Sequence, residues 1–153
     1  MRTHPSLRHA AACLLLLLGQ AALCAPPAGL AAPAGEKEET YAPLPGPGKK
    51  VWVDAEHYFV YEFDKKPSMG PLVVKIRLFT KDGKRATDLD IKGSADMPSM
   101  RGGHYSGDHP FRLSKKGDYL LPVDVVMPGD WEVRLIFSKA GRVLFRGALT
   151  FGV

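Results

Sequence analysis

The chain has 153 residues, 45% of them hydrophobic and 24% charged, a composition typical of one soluble domain that argues against a disordered or fibrous protein. Its 21 lysines and arginines outnumber its 16 acidic residues, but the lysine pairs stand beside Gly or Pro at segment ends and are not interleaved with aromatic residues. The charge pattern therefore argues against a nucleic-acid partner.

Residues 1–25 are predicted to be a secretory signal peptide. Arginines come first, a run of alanines and leucines follows, and small residues close the segment. The apolar run is about 16 residues long where a membrane span needs about 20, so a retained anchor is only the alternative interpretation. We place the cleavage between residues 25 and 34. We therefore expect a periplasmic or secreted protein whose mature chain has no membrane span.

Both cysteines, Cys13 and Cys24, lie within this signal peptide. Acylation of Cys24 is a second alternative, but Ala21 and Leu23 occupy the two positions where a lipobox needs a bulky aliphatic and a small residue. Cleavage removes both thiols. The mature protein is therefore expected to have no disulfide, zinc-thiolate site or cysteine nucleophile.

Residues 26–50 are rich in Pro, Ala and Gly and show no sustained hydrophobic period, which is typical of a flexible segment. The folded domain is expected over residues 51–153. There the hydrophobic period is two, and turn residues separate short segments, as in antiparallel sheets.

The alternation in this domain predicts about seven strands, which in chain order cover residues 58–63, 72–80, 89–93, 111–113, 119–125, 131–137 and 142–153. Short strands with one apolar face each predict an all-β fold, an immunoglobulin-like antiparallel β-sandwich, with a small barrel as the alternative. Trp131 is expected to lie buried between the sheets. The last strand is expected to kink at Gly147.

The loop 96–109 between the third and fourth strands is the one feature of the sequence that indicates chemistry. Thioether and imidazole donors together suit copper. The candidate metal ligands are those of this loop and of one facing turn: Met97, Met100, His104, His109 and Met127. In the alternative interpretation the methionines fill the open end of the core and the histidines are exposed. Met69 and His57 are expected to be bystanders.

Three runs of residues resemble a known family: Asp96-Met97-Pro98-Ser99-Met100, Gly117-Asp118-Tyr119 and Met127-Pro128-Gly129-Asp130-Trp131. The YtkA-like and FixH-like exported domains carry an MPxM loop, a G-x-Y strand and an MPGxW turn in this order, and the resemblance covers about residues 55–153. It implies an immunoglobulin-like sandwich outside the cytoplasm, often near copper handling or cytochrome oxidase assembly. FixH proteins also carry a transmembrane helix, which this sequence is not predicted to have.

Two functions follow from the sequence. The first is a noncatalytic accessory or interaction domain that presents a sheet edge or its loop end to another cell-envelope protein. The alternative is a periplasmic copper-binding module that uses the Met/His loop, copper being the only cofactor considered. An enzyme is not expected, because the sequence shows no Ser-His-Asp, Cys-His or paired-carboxylate constellation.

Overall fold

The computed structural model describes residues 39–153, so the predicted signal peptide and residues 26–38 of the predicted flexible segment lie outside the described residues. The described strands, in chain order, are β1 (Ala42–Pro43), β2 (Val51–Trp52), β3 (His57–Phe63), β4 (Gly70–Thr80), β5 (Asp90–Asp96), β6 (His109–Pro110), β7 (Arg112–Leu113), β8 (Tyr119–Val125), β9 (Asp130–Lys139) and β10 (Arg142–Gly152). A single 3₁₀ turn, Pro98–Met100, follows β5. Within residues 39–153, no helix has the length and hydropathy of a membrane span.

The strands form two five-stranded sheets. Sheet A has the order β1-β10-β9-β5-β6, and sheet B has the order β2-β3-β4-β8-β7. All strand pairs are antiparallel except β1 with β10, which are parallel. The arrangement is that of the immunoglobulin fold, in which one sheet contains β3, β4, β8 and β7 and the facing sheet contains β10, β9 and β5. The predicted all-β sandwich is therefore confirmed.

The core lies between the inner faces of the two sheets. On β4 and β9 every second side chain is buried, as the period of two predicts. These inner residues are Leu72, Val74, Ile76, Leu78, Trp131, Val133, Leu135 and Phe137. Trp131 is 1% exposed, which confirms its predicted burial.

The predicted fourth strand is not one strand but two. The chain pairs with β5 of sheet A at His109–Pro110 and then with β8 of sheet B at Arg112–Leu113. Phe111, between the two, is buried where the chain crosses from one sheet to the other, whereas Leu113 is exposed. The period of two that predicted one strand here holds only while a segment stays in one sheet.

Residues 41–53 pass from sheet A, where β1 pairs with β10, to sheet B, where β2 pairs with β3. The structure therefore differs from the prediction that the chain is flexible as far as residue 50. Ala42–Pro43 pairs with β10, and the Tyr61 hydroxyl donates to the carbonyl oxygen of Pro45 (2.7 Å). Gly147 makes room for this strap, because a Cβ there would lie 2.7 Å from Leu44 Cδ2. The irregularity of β10 lies between Val143 and Phe145 and not at Gly147, where a kink was predicted.

Candidate functional site

The loop after β5 is held by a buried carboxylate at the end of that strand. Asp96 accepts hydrogen bonds from the backbone N–H groups of Met97 and Gly102, both at 2.9 Å. Farther along, the Ser106 N–H donates to the Ala95 carbonyl (2.9 Å), and the Ala95 N–H donates to Ser106 Oγ (2.8 Å). Hydrogen bonds therefore tie the loop 96–109 back to β5 near both of its ends.

The ionisation of Asp96 reflects this arrangement. Burial alone raises the pKa of a carboxyl group, but the backbone N–H donors of Gly102, Met97 and His104 outweigh burial here. The pKa of Asp96 therefore lies below its usual range. The charged form is the one that holds the loop.

A second tie joins the loop to β9. Arg101 Nη1 donates to Glu132 Oε1 at 2.7 Å, and Arg134 Nε donates to the same oxygen at 2.8 Å. Burial raises the pKa of Glu132, but the two guanidinium groups outweigh it and leave the pKa below its usual range. Glu132 thus stays charged and fixes Arg101 beside the sheet.

Met97 is a core residue rather than an exposed donor. It is 3% exposed, and its methyl group lies 3.1 Å from where a Cβ of Gly129 would be. Gly129, with φ of 131°, thereby leaves the space that the Met97 side chain occupies. The Met97 sulfur is accordingly enclosed by the loop and by the turn between β8 and β9.

Three of the other predicted ligands lie around the same turn. The Trp131 indole N–H donates to the carbonyl oxygen of Met127 at 3.0 Å. The ring of His104, half-buried, lies with its centroid 6.1 Å from that of Trp131. The Met100 N–H donates to the Met97 carbonyl at 3.0 Å, while the Met100 side chain is exposed. The fold therefore gathers Met97, Met100, His104 and Met127 at one end of the sandwich.

His109, the fifth predicted ligand, lies in β6 opposite Gly93, whereas Met97 follows the last residue of β5. Four residues of strand span roughly 13 Å. His109 Nε2 donates to the Ser106 carbonyl at 2.7 Å, so that nitrogen carries a proton and has no free lone pair for a metal. His109 is thus placed apart from the other candidates.

Met69, a predicted bystander, lies at the same end of the sandwich as the loop 96–109. It directly precedes Gly70, which pairs with Val125 across β4 and β8, so Met69 and Val126 continue past that pair at the same sheet end. All the methionines among residues 39–153 are therefore at this end of the sandwich. Only the strand register shows this, and no local pattern around Met69 could have indicated it.

We call the exposed side chains of Met69, Met100, Val126 and Met127 the methionine end. Within the part of the chain that the structure describes, no three His, Asp or Glu side chains are grouped as metal ligands. The soft donors at this end are the exposed thioethers of Met69, Met100 and Met127, and the half-buried His104 ring lies near Trp131.

Each sheet edge is partly covered by a strand of two residues. In sheet A, β6 and Ser106 cover part of β5, and β1 covers β10 at Gly147 and Ala148. In sheet B, β7 pairs only with Leu120 and Tyr119, so the rest of β8 has no partner strand on that side among the described residues. Pro122 stands in this stretch. Because proline has no N–H to offer, it disfavours strand addition there.

A cluster of ionisable groups lies at the opposite end of the sandwich. Buried His57 has Nδ1 3.1 Å from Asp54 Oδ1 and Nε2 3.3 Å from Asp88 Oδ1, and Asp88 Oδ2 accepts a hydrogen bond from Lys139 Nζ at 2.6 Å. The hydrogen bond from Lys139, against the effect of burial, holds the pKa of Asp88 below its usual range. The cluster ties β3 to the residues before β5 and to the end of β9, which is a structural role.

Comparison with known proteins assigns no family to the chain, since no family model, curated protein or solved structure matches it.

Proposed function

We propose that the chain is a noncatalytic, exported accessory module that docks onto another cell-envelope protein through the methionine end. One observation carries the proposal: the exposed fractions are 54% for Met69, 41% for Met100, 55% for Val126 and 39% for Met127. Single exposed apolar side chains are ordinary on a protein surface, but several at one end of a domain are typical of an interaction surface.

Hydrogen bonds hold the backbone beneath these side chains in place. Asp96 and Glu132 hold the loop that carries Met100, and Gly129 exchanges both backbone hydrogen bonds with Val153 at the base of the turn that carries Met127. The thioethers themselves are unbranched and adaptable. Flexible side chains on fixed loops suit a surface that must fit the apolar face of a partner.

The two predicted docking modes, through a sheet edge or through the loop end, are not equally supported. A sheet edge would bind by adding a strand, and the short edge strands and Pro122 oppose that. The loop end needs only apolar contact. The compartment and the relationship to YtkA-like and FixH-like domains belong to the same proposal. The predicted signal peptide supports the compartment, and the MPxM and MPGxW motifs support the relationship.

Photocrosslinking in cells tests the docking proposal. A benzophenone side chain at position 69 or 127 is expected to give the same discrete adduct, because both positions face the partner. At position 143, where Val143 is an exposed apolar residue at the opposite end, no such adduct is expected.

Val126→Glu puts a charge into the methionine end and is expected to abolish the adduct, whereas Val143→Glu leaves it unchanged. Equal adducts from positions 127 and 143, or an adduct that survives Val126→Glu, would contradict docking at this end.

Copper binding is the second candidate function, and the gathering of thioethers at one end favours it. Thioethers are soft donors that select Cu(I), and imidazole accepts it as well. The thioethers that an ion reaches without opening the core are those of Met69, Met100 and Met127, because Met97 is enclosed. The reachable thioethers therefore differ from the predicted methionine ligands, because Met69 is included and Met97 is not.

Competition against a Cu(I) chelator tests this candidate. We expect replacement of Met69, Met100 and Met127 by Leu to lower the affinity for Cu(I) at least about 100-fold with little change in melting temperature, since Leu keeps the volume and apolar character. Met97→Leu is the matched control and should keep the affinity. Wild-type protein that takes no Cu(I) from the chelator would rule the metal site out and leave docking as the function.

A further inference from the structure

The sulfur atoms of the described chain fall into two classes. The only cysteines are Cys13 and Cys24, so thioethers are the sole sulfur groups in residues 39–153. Met69, Met100 and Met127 are between 39% and 54% exposed, whereas Met97, at the same end, is 3% exposed. An oxidant in solution therefore reaches three of these sulfurs directly and the fourth only after the end opens.

The exposed thioethers are not what holds this end together. Met127 contributes its carbonyl oxygen to the Trp131 indole, and Met100 contributes backbone groups to the turn between Met97 and Gly103. Only Met97 uses its side chain as core packing. Chemical change at the three exposed sulfurs thus alters the surface and leaves the fold in place.

We propose that the methionine end is an oxidation-responsive surface, in which peroxide converts the side chains of Met69, Met100 and Met127 to sulfoxides and so makes this surface less apolar. In each step the sulfur lone pair attacks peroxide, the O–O bond breaks, one oxygen bonds to sulfur and the other leaves as water. Sulfur is oxidised by two electrons and the peroxide is reduced. A thiol-dependent methionine sulfoxide reductase reverses the change.

The consequence for docking rests on the proposed function. A sulfoxide is a polar hydrogen-bond acceptor, and placing it against an apolar partner leaves it without a hydrogen bond. Val126, the fourth exposed apolar side chain of the methionine end, has no sulfur to oxidise, so the loss of apolar character is confined to the thioethers. Oxidation then releases the partner without unfolding the domain.

Timed treatment of the purified exported protein with hydrogen peroxide, followed by peptide mass measurement, tests the two classes. We expect Met69, Met100 and Met127 to gain oxygen about tenfold faster than Met97 or more, because Met97 reacts only through local opening. The melting temperature should stay within a few degrees of its starting value while the three react. Met97 keeping pace with the others, or melting that falls in step with their oxidation, would overturn the proposal.

Retention on a phenyl column measures the apolar character of the surface without any partner. Retention of the wild-type protein is expected to fall as the three methionines are oxidised. Retention of the triple variant Met69→Leu, Met100→Leu, Met127→Leu is expected to stay unchanged after the same peroxide treatment. Unchanged wild-type retention would refute the surface change. Because neither assay uses the docking partner, a failed crosslink with the expected oxidation pattern rejects only docking, and the reverse result rejects only the redox response.

Discussion

Replacing Trp131 by alanine is expected to lower the free energy of unfolding by about 3–5 kcal/mol, a large share of the stability of a small domain. The Trp131 ring lies on the inner face of β9, is 1% exposed, and donates its N–H to the Met127 carbonyl. Truncation removes the packing of the largest fully buried side chain and leaves that carbonyl without its donor. Urea denaturation followed by circular dichroism measures the loss.

The other tryptophan of the chain is a matched control. Trp52 is 49% exposed on the edge strand β2. Its ring packs edge-on against Tyr58, with 5.3 Å between ring centroids, and Lys50 Nζ lies 5.7 Å from the Trp52 ring centroid. Trp52→Ala loses only these surface contacts and should cost about 1 kcal/mol. If Trp131→Ala costs no more than Trp52→Ala, the packing assigned to β9 is wrong.

Local alternation predicts the strands well because a side chain's face depends only on its own strand. The run of apolar residues at every second position of β4 and β9 determines both the strand and its buried face. The same logic fails for residues 109–113, where the chain changes sheets at Phe111 and the face changes with it. A crossing of this kind depends on where the partner strands lie, which one segment does not show.

The strap over residues 41–53 was missed for a different reason. Its Pro, Ala and Gly content indicates that it cannot form a core of its own, and that remains true. Its order comes from the strands that it contacts. Leu44 fills the space above Gly147, and the carbonyl oxygen of Pro45 accepts a hydrogen bond from the Tyr61 hydroxyl. The composition of a segment indicates how much apolar surface it can bury by itself. It does not indicate which other strands the segment will pack against.

For the candidate site, the sequence identifies the loop but not its final membership. Met97, Met100 and His104 are close in sequence, so their proximity in space could be expected. The place of Met69 depends on the pairing of Gly70 with Val125, and the burial of Met97 depends on the missing side chain of Gly129. Both are tertiary facts, and they change which thioethers reach solvent.

The order of the loop itself rests on Asp96, and Asp96→Asn is expected to lower the free energy of unfolding at pH 7 by about 1.5–3 kcal/mol. The carboxylate accepts backbone N–H groups with both oxygens, whereas the amide has one carbonyl oxygen and an NH₂ that points at other donors. Amide hydrogens of Gly102 and His104 should also exchange faster. Asp124→Asn, at an exposed position of β8, is the control and should change stability by less than about 0.5 kcal/mol.

The pH dependence identifies the charge as the source of this stabilisation. Because the pKa of Asp96 is lower in the folded protein than in the unfolded chain, where it is about 3.9, the contribution is complete above the unfolded pKa. It is lost as pH falls through the folded pKa. The difference between wild type and Asp96→Asn should therefore be constant from neutral pH down to about pH 5 and shrink at lower pH. A difference that stays the same between pH 7 and pH 3 would show that the Asp96 charge does not hold the loop.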